Sequence, residues 1–343
     1  MAALLIPLLL LGLGFAFIGG DDDDDSSGDG GPDIGGEEPL TQVEGTENGD
    51  LLDAIEPSNI VSGGGDDTVF GSTGDDVVEA GEGDDYVDGG EGDDRIEGNQ
   101  NADTLVGNFG DDTINGGFGA DEIYGSEGND DLRGSRGEDF LDGFDGDDLL
   151  SGNQENDTLL GGQGNDTLFG GTGDDILIAN EGDDQLSGDA GDDVLFALSG
   201  GNNTLSGGAG NDLLDAVAEP LYSDPGVAST LDGGDGDDYI RGDDGDQLTG
   251  GDGIDFFEVY TNGTGDPVKI TDFDRTSEAV DIYVDIPAEL IAMGNTTITV
   301  DERVDGTGLD LILNLPDGSQ TLIVELDGVD PGQIAGVLTV RPA

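Results

Sequence analysis

An aspartate recurs every nine residues along most of the chain, and this spacing is the strongest sign of chemistry in the sequence. Between Ser62 and Phe196, fifteen consecutive nonapeptides run without a break, and the sixth position of each is Asp. If the repeats fold alike and stack, their carboxylates form columns that repel one another unless cations lie between them. Carboxylate and backbone carbonyl oxygens are the ligands that Ca²⁺ prefers, so the spacing predicts a calcium-binding array.

The overall composition also favours a cation partner and excludes several functions. The 343 residues include 81 Asp or Glu, 8 Lys or Arg and no His or Cys, which gives a net charge of −73. Without His and Cys there is no disulfide framework, no ordinary zinc site and no Ser-His or Cys-His nucleophile pair. So strong a polyanion repels nucleic acid and anionic lipid. We therefore expect calcium ions, and no nucleic acid, as partners.

Each nonapeptide has the pattern of a glycine-rich turn followed by a short strand. The eighth position is Val, Ile or Leu in all fifteen, and the fourth is Gly except at Asn101 and Glu155. One aliphatic residue in nine is too few for an amphipathic helix, whereas an x-aliphatic-x triplet suits a strand with one buried face. Stacked turn-strand units predict an all-β parallel solenoid with two repeats, or 18 residues, in each coil.

The repeat register extends less regularly beyond the fifteen units. Asp50 fits upstream, and downstream Asn203 stands at a sixth position before a regular unit that contains Asp212. An insertion is predicted at residues 216–232, and three further units contain Asp238, Asp246 and Asp255. We therefore expect one array over residues 45–258. Because one aliphatic side chain per unit buries little surface against the cost of ordering nine residues, folding and calcium binding should be a single event.

The pattern G-G-x-G-x-D-x-(aliphatic)-x resembles the calcium-binding nonapeptide of the RTX, or haemolysin-type, family. The resemblance implies a right-handed parallel β-roll with many calcium ions between successive turns on each edge. It also implies that the ligands are carbonyls of the glycine-rich turn and the sixth-position side chains Asp67, Asp76, Asp85, Asp94, Asp112, Asp121, Asp130, Asp139, Asp148, Asp166, Asp175, Asp184, Asp193, Asp212, Asp238 and Asp255. Asp103 and Asp157 are not included, because their turns carry Asn101 and Glu155 where the family has Gly.

The N-terminal region reads as an export segment followed by a linker. Residues 2–18 carry no charge, and the run Asp21–Asp25 follows shortly after. Within residues 1–20 a cleaved signal peptide and an uncleaved membrane anchor both fit, so a membrane contact is expected only through residues 2–18 if they are retained. Residues 21–44 have the composition of an acidic disordered linker. We expect a secreted or cell-surface protein exported by a bacterial-type route.

The C-terminal region, residues 259–343, is predicted to form a β-rich cap or a small sandwich. Longer strands are expected at residues 268–273, 280–286, 296–300, 309–315 and 321–326, the last two joined by a hairpin turn at residues 316–319. The segments 270–273 and 281–284 are similar to the tails of RTX proteins that carry an uncleaved secretion signal, although the final residues do not match such a tail. The export machinery is therefore left open.

Motifs of catalysis are not found in the sequence. H-E-x-x-H and G-x-S-x-G do not occur, and pairs of carboxylates carry no signal among 81 acids. We expect a non-catalytic calcium-binding repeat protein with a structural role at the cell surface or in an extracellular matrix. The alternative is an adhesin module that binds an extracellular polysaccharide or another cell-surface partner through the solenoid faces.

Overall fold

The computed structural model describes residues 40–197, 200–217, 227–261, 266–273, 279–284, 297–302, 308–314, 320–327 and 338–342. These residues contain thirty β-strands and no helix, and so none of them forms a helix long and apolar enough to span a membrane. The predicted export segment, most of the predicted linker and the predicted hairpin turn at 316–319 lie outside the described residues.

The strands form two sheets, and the strands of successive repeats lie alternately in one sheet and in the other. In spatial order, sheet 1 contains β1 (Thr41–Thr46), β3 (Ser58–Gly64), β5 (Val77–Glu82), β7 (Arg95–Gln100), β9 (Thr113–Phe118), β11 (Asp131–Arg136), β13 (Leu149–Gln154), β15 (Thr167–Thr172), β17 (Gln185–Ala190), β19 (Thr204–Ala209), β21 (Thr230–Asp235), β23 (Gln247–Asp252), β25 (Val268–Ile270), β29 (Gln320–Asp327), β28 (Gly308–Asn314) and β27 (Thr297–Glu302). Sheet 2 contains β2 (Leu51–Asp53), β4 (Thr68–Phe70), β6 (Tyr86–Glu91), β8 (Thr104–Phe109), β10 (Glu122–Glu127), β12 (Phe140–Asp145), β14 (Thr158–Gln163), β16 (Ile176–Glu181), β18 (Val194–Phe196), β20 (Leu213–Asp215), β22 (Tyr239–Gly242), β24 (Phe256–Thr261), β26 (Ala279–Val284) and β30 (Leu338–Pro342).

Successive strands within each sheet are parallel, and residues 18 apart pair throughout the regular part of the array. Leu141 pairs with Ile123 on one side and with Leu159 on the other. This register confirms the predicted parallel β-solenoid with two repeats in each coil, and about twelve coils form. The strands are longer than the predicted triplets, because positions one to three of the next repeat continue each regular strand to six residues, as in Arg95–Gln100.

Three irregular coils are accommodated without loss of the strand register. Leu186 pairs with Leu205, Leu205 with Leu231, and Leu231 with Leu248. The extra or missing residues lie outside the described strands. Because β21 already begins at Thr230, the interruption predicted to extend to residue 232 ends earlier.

The eighth position of each repeat forms the core. The side chains from Ile60 through Leu141 to Leu248 at this position are at most 3% exposed and stack as one apolar column from each sheet. This confirms the predicted inward face. Aliphatic side chains can fill this narrow interior because each contacts its equivalents one coil above and below.

The strands after residue 259 extend the same two sheets instead of forming a separate sandwich. In sheet 2, β26 pairs in parallel with β24, and β30 pairs in parallel with β26. In sheet 1, β29 pairs in parallel with β25, and β28 and β27 then add antiparallel strands. The strands expected at 309–315 and 321–326 correspond to β28 and β29, which pair antiparallel.

Candidate metal-binding turns

The turns of the solenoid form two columns, one along each side of the stack. The first turn column leads from sheet 1 to sheet 2, and its sixth positions are Asp67, Asp85, Asp103, Asp121, Asp139, Asp157, Asp175, Asp193, Asp212, Asp238 and Asp255. The second turn column leads from sheet 2 to sheet 1, and its sixth positions are Asp76, Asp94, Asp112, Asp130, Asp148, Asp166, Asp184, Asn203, Ser229 and Asp246. Every one of these side chains is buried.

Asp130 shows how backbone hydrogen bonds fix the sixth-position side chain. Its Oδ1 accepts a hydrogen bond of 2.8 Å from the backbone N–H of Asp112, one coil earlier. Its own N–H donates over 2.8 Å to Oδ1 of Asp148, one coil later, and its carbonyl accepts from the N–H of Leu149. These bonds recur along both columns and hold each carboxylate in one orientation.

The second carboxylate oxygen is left without a partner. Among the described residues, seventeen sixth-position aspartates have a buried Oδ2 with no hydrogen-bond partner. A buried carboxylate oxygen without a donor or cation is costly, and its regular repetition indicates that the turns are suited to bind a cation.

A backbone carbonyl approaches the same space as this unpartnered oxygen. A methyl group built on Gly143, at the first position of its repeat, would lie 2.3 Å from Oδ2 of Asp148 and 2.6 Å from the carbonyl oxygen of Gly161 in the next coil. Carboxylate and carbonyl oxygens therefore converge between stacked turns. Within the described residues, no three acidic side chains converge on a single point, so a metal ion here would take most of its ligands from the backbone. This all-oxygen donor set fits calcium.

Burial raises the pKa of most sixth-position carboxylates above the usual 3.8. Desolvation is the largest cause, the backbone N–H of the previous coil opposes it, and neighbouring carboxylates add to it. The pKa rises to about 6 for Asp148 and to about 7 for Asp94 and Asp130. For Asp103 and Asp157 it rises to about 8. Without a cation, burial disfavours the ionised form of these carboxylates.

The turns of Asp103 and Asp157 retain the geometry of the other turns. Fourth-position glycines such as Gly137 have φ of 141°, whereas Asn101 and Glu155 have φ of 76° and 73°. Both aspartates are nevertheless 2% exposed, and their Oδ1 atoms accept backbone N–H bonds of 2.9 and 2.8 Å. The structure gives no reason to separate these two residues from the sixteen predicted ligands.

Four sixth positions of the second column differ from the common arrangement. Oδ2 of Asp76, a predicted ligand, accepts hydrogen bonds from the backbone N–H and hydroxyl of Ser72. Asn203 and Ser229 carry no charge, and both oxygens of Asp246 accept backbone N–H bonds. The sequence did not reveal Ser229 as a sixth position, because the irregular turn before it hides the register.

A second ladder of polar side chains runs along the turns at the exposed fifth position. The backbone N–H of Asp147 donates over 2.9 Å to Oδ1 of Asn129, and the N–H of Asn165 donates over 2.7 Å to Oδ1 of Asp147. Since Asn and Asp alternate here, this ladder needs an acceptor oxygen but no charge. It tightens the turns without depending on a cation.

The outer faces of the two sheets differ in chemistry. On sheet 2, Phe70 lies beside Tyr86 with ring centroids 6.1 Å apart, and Tyr124 lies 5.9 Å from Phe140 and 6.3 Å from Phe144. The equivalent seventh and ninth positions of sheet 1 are mainly Thr, Ser, Gln and charged residues. The aromatic groups therefore concentrate on one face.

Comparison with known families agrees with the geometry of the turns. A family model described as the RTX calcium-binding nonapeptide repeat (4 copies) matches residues 61–96, 97–132, 124–159, 160–195 and 198–216. A search among curated proteins finds no match to the chain.

Proposed function

We propose, on the premise that residues 61–216 carry RTX calcium-binding nonapeptide repeats, that this chain is an exported, non-catalytic calcium-binding protein with a structural role. The observation that carries the proposal is the column of buried carboxylate oxygens without partners in the described turns. These oxygens, with the carbonyls that face them, form the donor set that calcium requires. The proposed ligands are the predicted aspartates other than Asp76, whose Oδ2 is already bonded to Ser72, together with Asp103 and Asp157.

Two sets of residues prepare the sites: one orients the carboxylates, and the other excludes water from the interior. The Oδ1 bond to the previous coil fixes each carboxylate, and the column of eighth-position aliphatics keeps the interior dry. Bound calcium would supply positive charge between turns whose carboxylates otherwise repel one another. Because each space lies between two stacked turns, binding requires both coils to be formed, and ligand binding is then coupled to folding.

A location outside the cell follows from the same coupling. Repeat modules of this kind bind calcium in the millimolar range, which is met outside cells and not in a cytosol. RTX repeats are characteristic of secreted bacterial proteins, and residues 2–18 provide an uncharged segment for export. A rod of stacked coils with one repeating ligand suits a spacer at the cell surface or in a matrix.

A calcium titration of the full chain tests the binding part of the proposal. In chelator the far-UV circular dichroism should be that of a disordered chain, and about 1–10 mM calcium should produce a β spectrum. A β spectrum that is already complete in chelator would contradict the coupling of folding to calcium.

The export part of the proposal has a separate test. Mass spectrometry of the protein from medium, membrane and cytosol fractions would define its N-terminus. A start near Ala16 in the medium indicates cleavage, and a retained Met1 in the membrane fraction indicates an anchor. Full-length protein found only in the cytosol would contradict export.

The aromatic outer face of sheet 2 favours a second candidate function, the binding of a polysaccharide. Sugar rings stack on aromatic side chains at protein surfaces, and Phe144, which is 46% exposed, forms one such group with the half-buried Tyr124 and Phe140. A pull-down with isolated envelope polysaccharide should weaken for Tyr124→Ser with Phe144→Ser. Phe169→Ser on the outer face of sheet 1 is the matched control, since Phe169 is 41% exposed. Equal binding by the double variant and the unmodified chain would exclude this face.

A further inference from the structure

The two turn columns differ in charge toward the C-terminal end of the array. In the first turn column, every sixth position from Asp67 to Asp255 is an aspartate whose Oδ2 is buried without a hydrogen-bond partner in the described structure. In the second turn column, the last such oxygen belongs to Asp184. The next three sixth positions are Asn203, Ser229 and Asp246.

Asn203 and Ser229 perform the hydrogen bonding of the aspartate without its charge. Oδ1 of Asn203 accepts a bond of 2.8 Å from the N–H of Asp184, and Oγ of Ser229 accepts a bond of 3.3 Å from the N–H of Asn203. Both side chains are buried, with 3% and 4% exposure. The turns therefore remain stacked here, but these two sixth positions carry no carboxylate.

Asp246 is an aspartate, yet its carboxylate is already satisfied by the protein. Its Oδ1 accepts a bond of 2.8 Å from the N–H of Ser229, and its Oδ2 accepts a bond of 2.8 Å from the N–H of Asp243. Asp243 lies three residues earlier in the same turn, and in the described part of the chain no other sixth-position Oδ2 accepts a bond from that position. Asp246 thus offers no free oxygen comparable to that of Asp148.

We infer that the second turn column binds calcium only as far as Asp184, whereas the first turn column binds it as far as Asp255. The space between the turns of Asp130 and Asp148 has a carboxylate from each side. The space between Asn203 and Ser229 has none, and calcium affinity in oxygen sites depends on the number of charged ligands. The last coils are then bridged by metal along one side and closed by protein hydrogen bonds along the other. This inference rests on the proposed calcium binding and specifies where it stops.

Restoring one carboxylate tests the inference on the full chain. Asn203→Asp places a second carboxylate in the space next to Asp184, so native mass spectrometry in calcium should count about one more bound ion than in the unmodified chain. Asn202→Asp is the matched control, because it adds the same charge at the exposed fifth position of the same turn, where Asp is common. The control should leave the number of ions unchanged.

A second measurement does not depend on how well the variant folds. In crystals of the unmodified chain grown with calcium, anomalous scattering should show ions between the turns of Asp130 and Asp148 and between those of Asp193 and Asp212. It should show none between the turns of Asn203 and Ser229. An ion in that space, or equal gains of calcium by Asn203→Asp and Asn202→Asp, would overturn the inference while leaving calcium binding intact. If the unmodified chain binds no calcium, both the inference and the proposed function are overturned.

Discussion

Replacing a single sixth-position aspartate by asparagine should change the stability of the protein in opposite directions with and without calcium. Asp148→Asn keeps an oxygen for the 2.8 Å bond from the N–H of Asp130 and has nearly the same size. In calcium, however, the variant lacks one carboxylate in the two spaces that flank its turn. The calcium concentration at the midpoint of folding should therefore rise.

Without calcium the same substitution should stabilise the folded state. Burial raises the pKa of Asp148 from 3.8 to about 6, so at pH 7.5 the folded chain holds an ionised carboxylate in an unfavourable place. A folded-state pKa above the unfolded value stabilises the fold only at low pH, and this contribution is lost as the pH rises through about 6. The difference corresponds to a cost of about 3 kcal/mol as an upper bound at pH 7.5, and asparagine removes it.

The assay has two arms, both followed by far-UV circular dichroism. One arm titrates calcium, and the other titrates a folding osmolyte in the presence of chelator, which favours the compact state without metal. The matched control is Asp147→Asn, which removes the same charge from the exposed fifth position, where Asn129 and Asn165 already occur. If Asp148→Asn and Asp147→Asn shift both midpoints equally, net charge explains the effect and the ligand assignment fails.

Three further perturbations test the buried core, the backbone conformation of the turn and the effect of pH. Leu141→Asp should prevent calcium-induced folding around its coil because it places a charge in a fully buried column. Leu141→Ile should lower the free energy of unfolding by less than about 1.5 kcal/mol. Equal calcium midpoints for the two variants would mean that the inward face is wrongly assigned. Gly146→Val should raise the calcium midpoint far more than Gly146→Asn. A Cβ at this residue, with φ of 154°, lies 1.5 Å from the carbonyl oxygen of Gly128, whereas Asn101 already adopts a left-handed conformation at an equivalent position. The reverse order of the two variants would refute the role of φ. In chelator, β structure should increase as the pH falls from 8 to 4, since pKa values raised to about 7 at Asp94 and Asp130 make the fold more stable when these groups are protonated. Calcium titrations at several pH values should show that protons weaken calcium binding. A spectrum and a calcium midpoint that do not depend on pH would contradict this coupling.

Much of the fold could be predicted from the sequence because two features recur with a fixed period. The invariant Asp and aliphatic positions fix the turn and the inward face, and a period of nine with one buried residue leaves few alternatives to a solenoid. The length of the strands was not predictable in the same way, since Gly-Gly pairs have low strand propensity. They are extended here because backbone pairing with the neighbouring coils outweighs that preference.

The sites were harder to predict than the fold, because partners in other coils decide them. Asp76 and Asp246 fit the pattern as well as Asp148 does, but hydrogen bonds from Ser72 and Asp243 occupy their second oxygens. Conversely, Asn101 suggested a weakened site at Asp103, yet a change in φ preserves the carboxylate position. A sequence pattern shows which side chains repeat but not which of their atoms are already bonded.

The pairing of residues 18 apart limits how the length of such a rod can change. Because neighbouring nonapeptides lie in different sheets, gain or loss of one nonapeptide would move every later repeat to the opposite sheet and exchange the aromatic face for the hydroxyl-rich one. Gain or loss of two nonapeptides would leave both faces continuous. The rod can therefore lengthen without altering either surface only by pairs of nonapeptides, that is, by duplications of 18 or 36 residues.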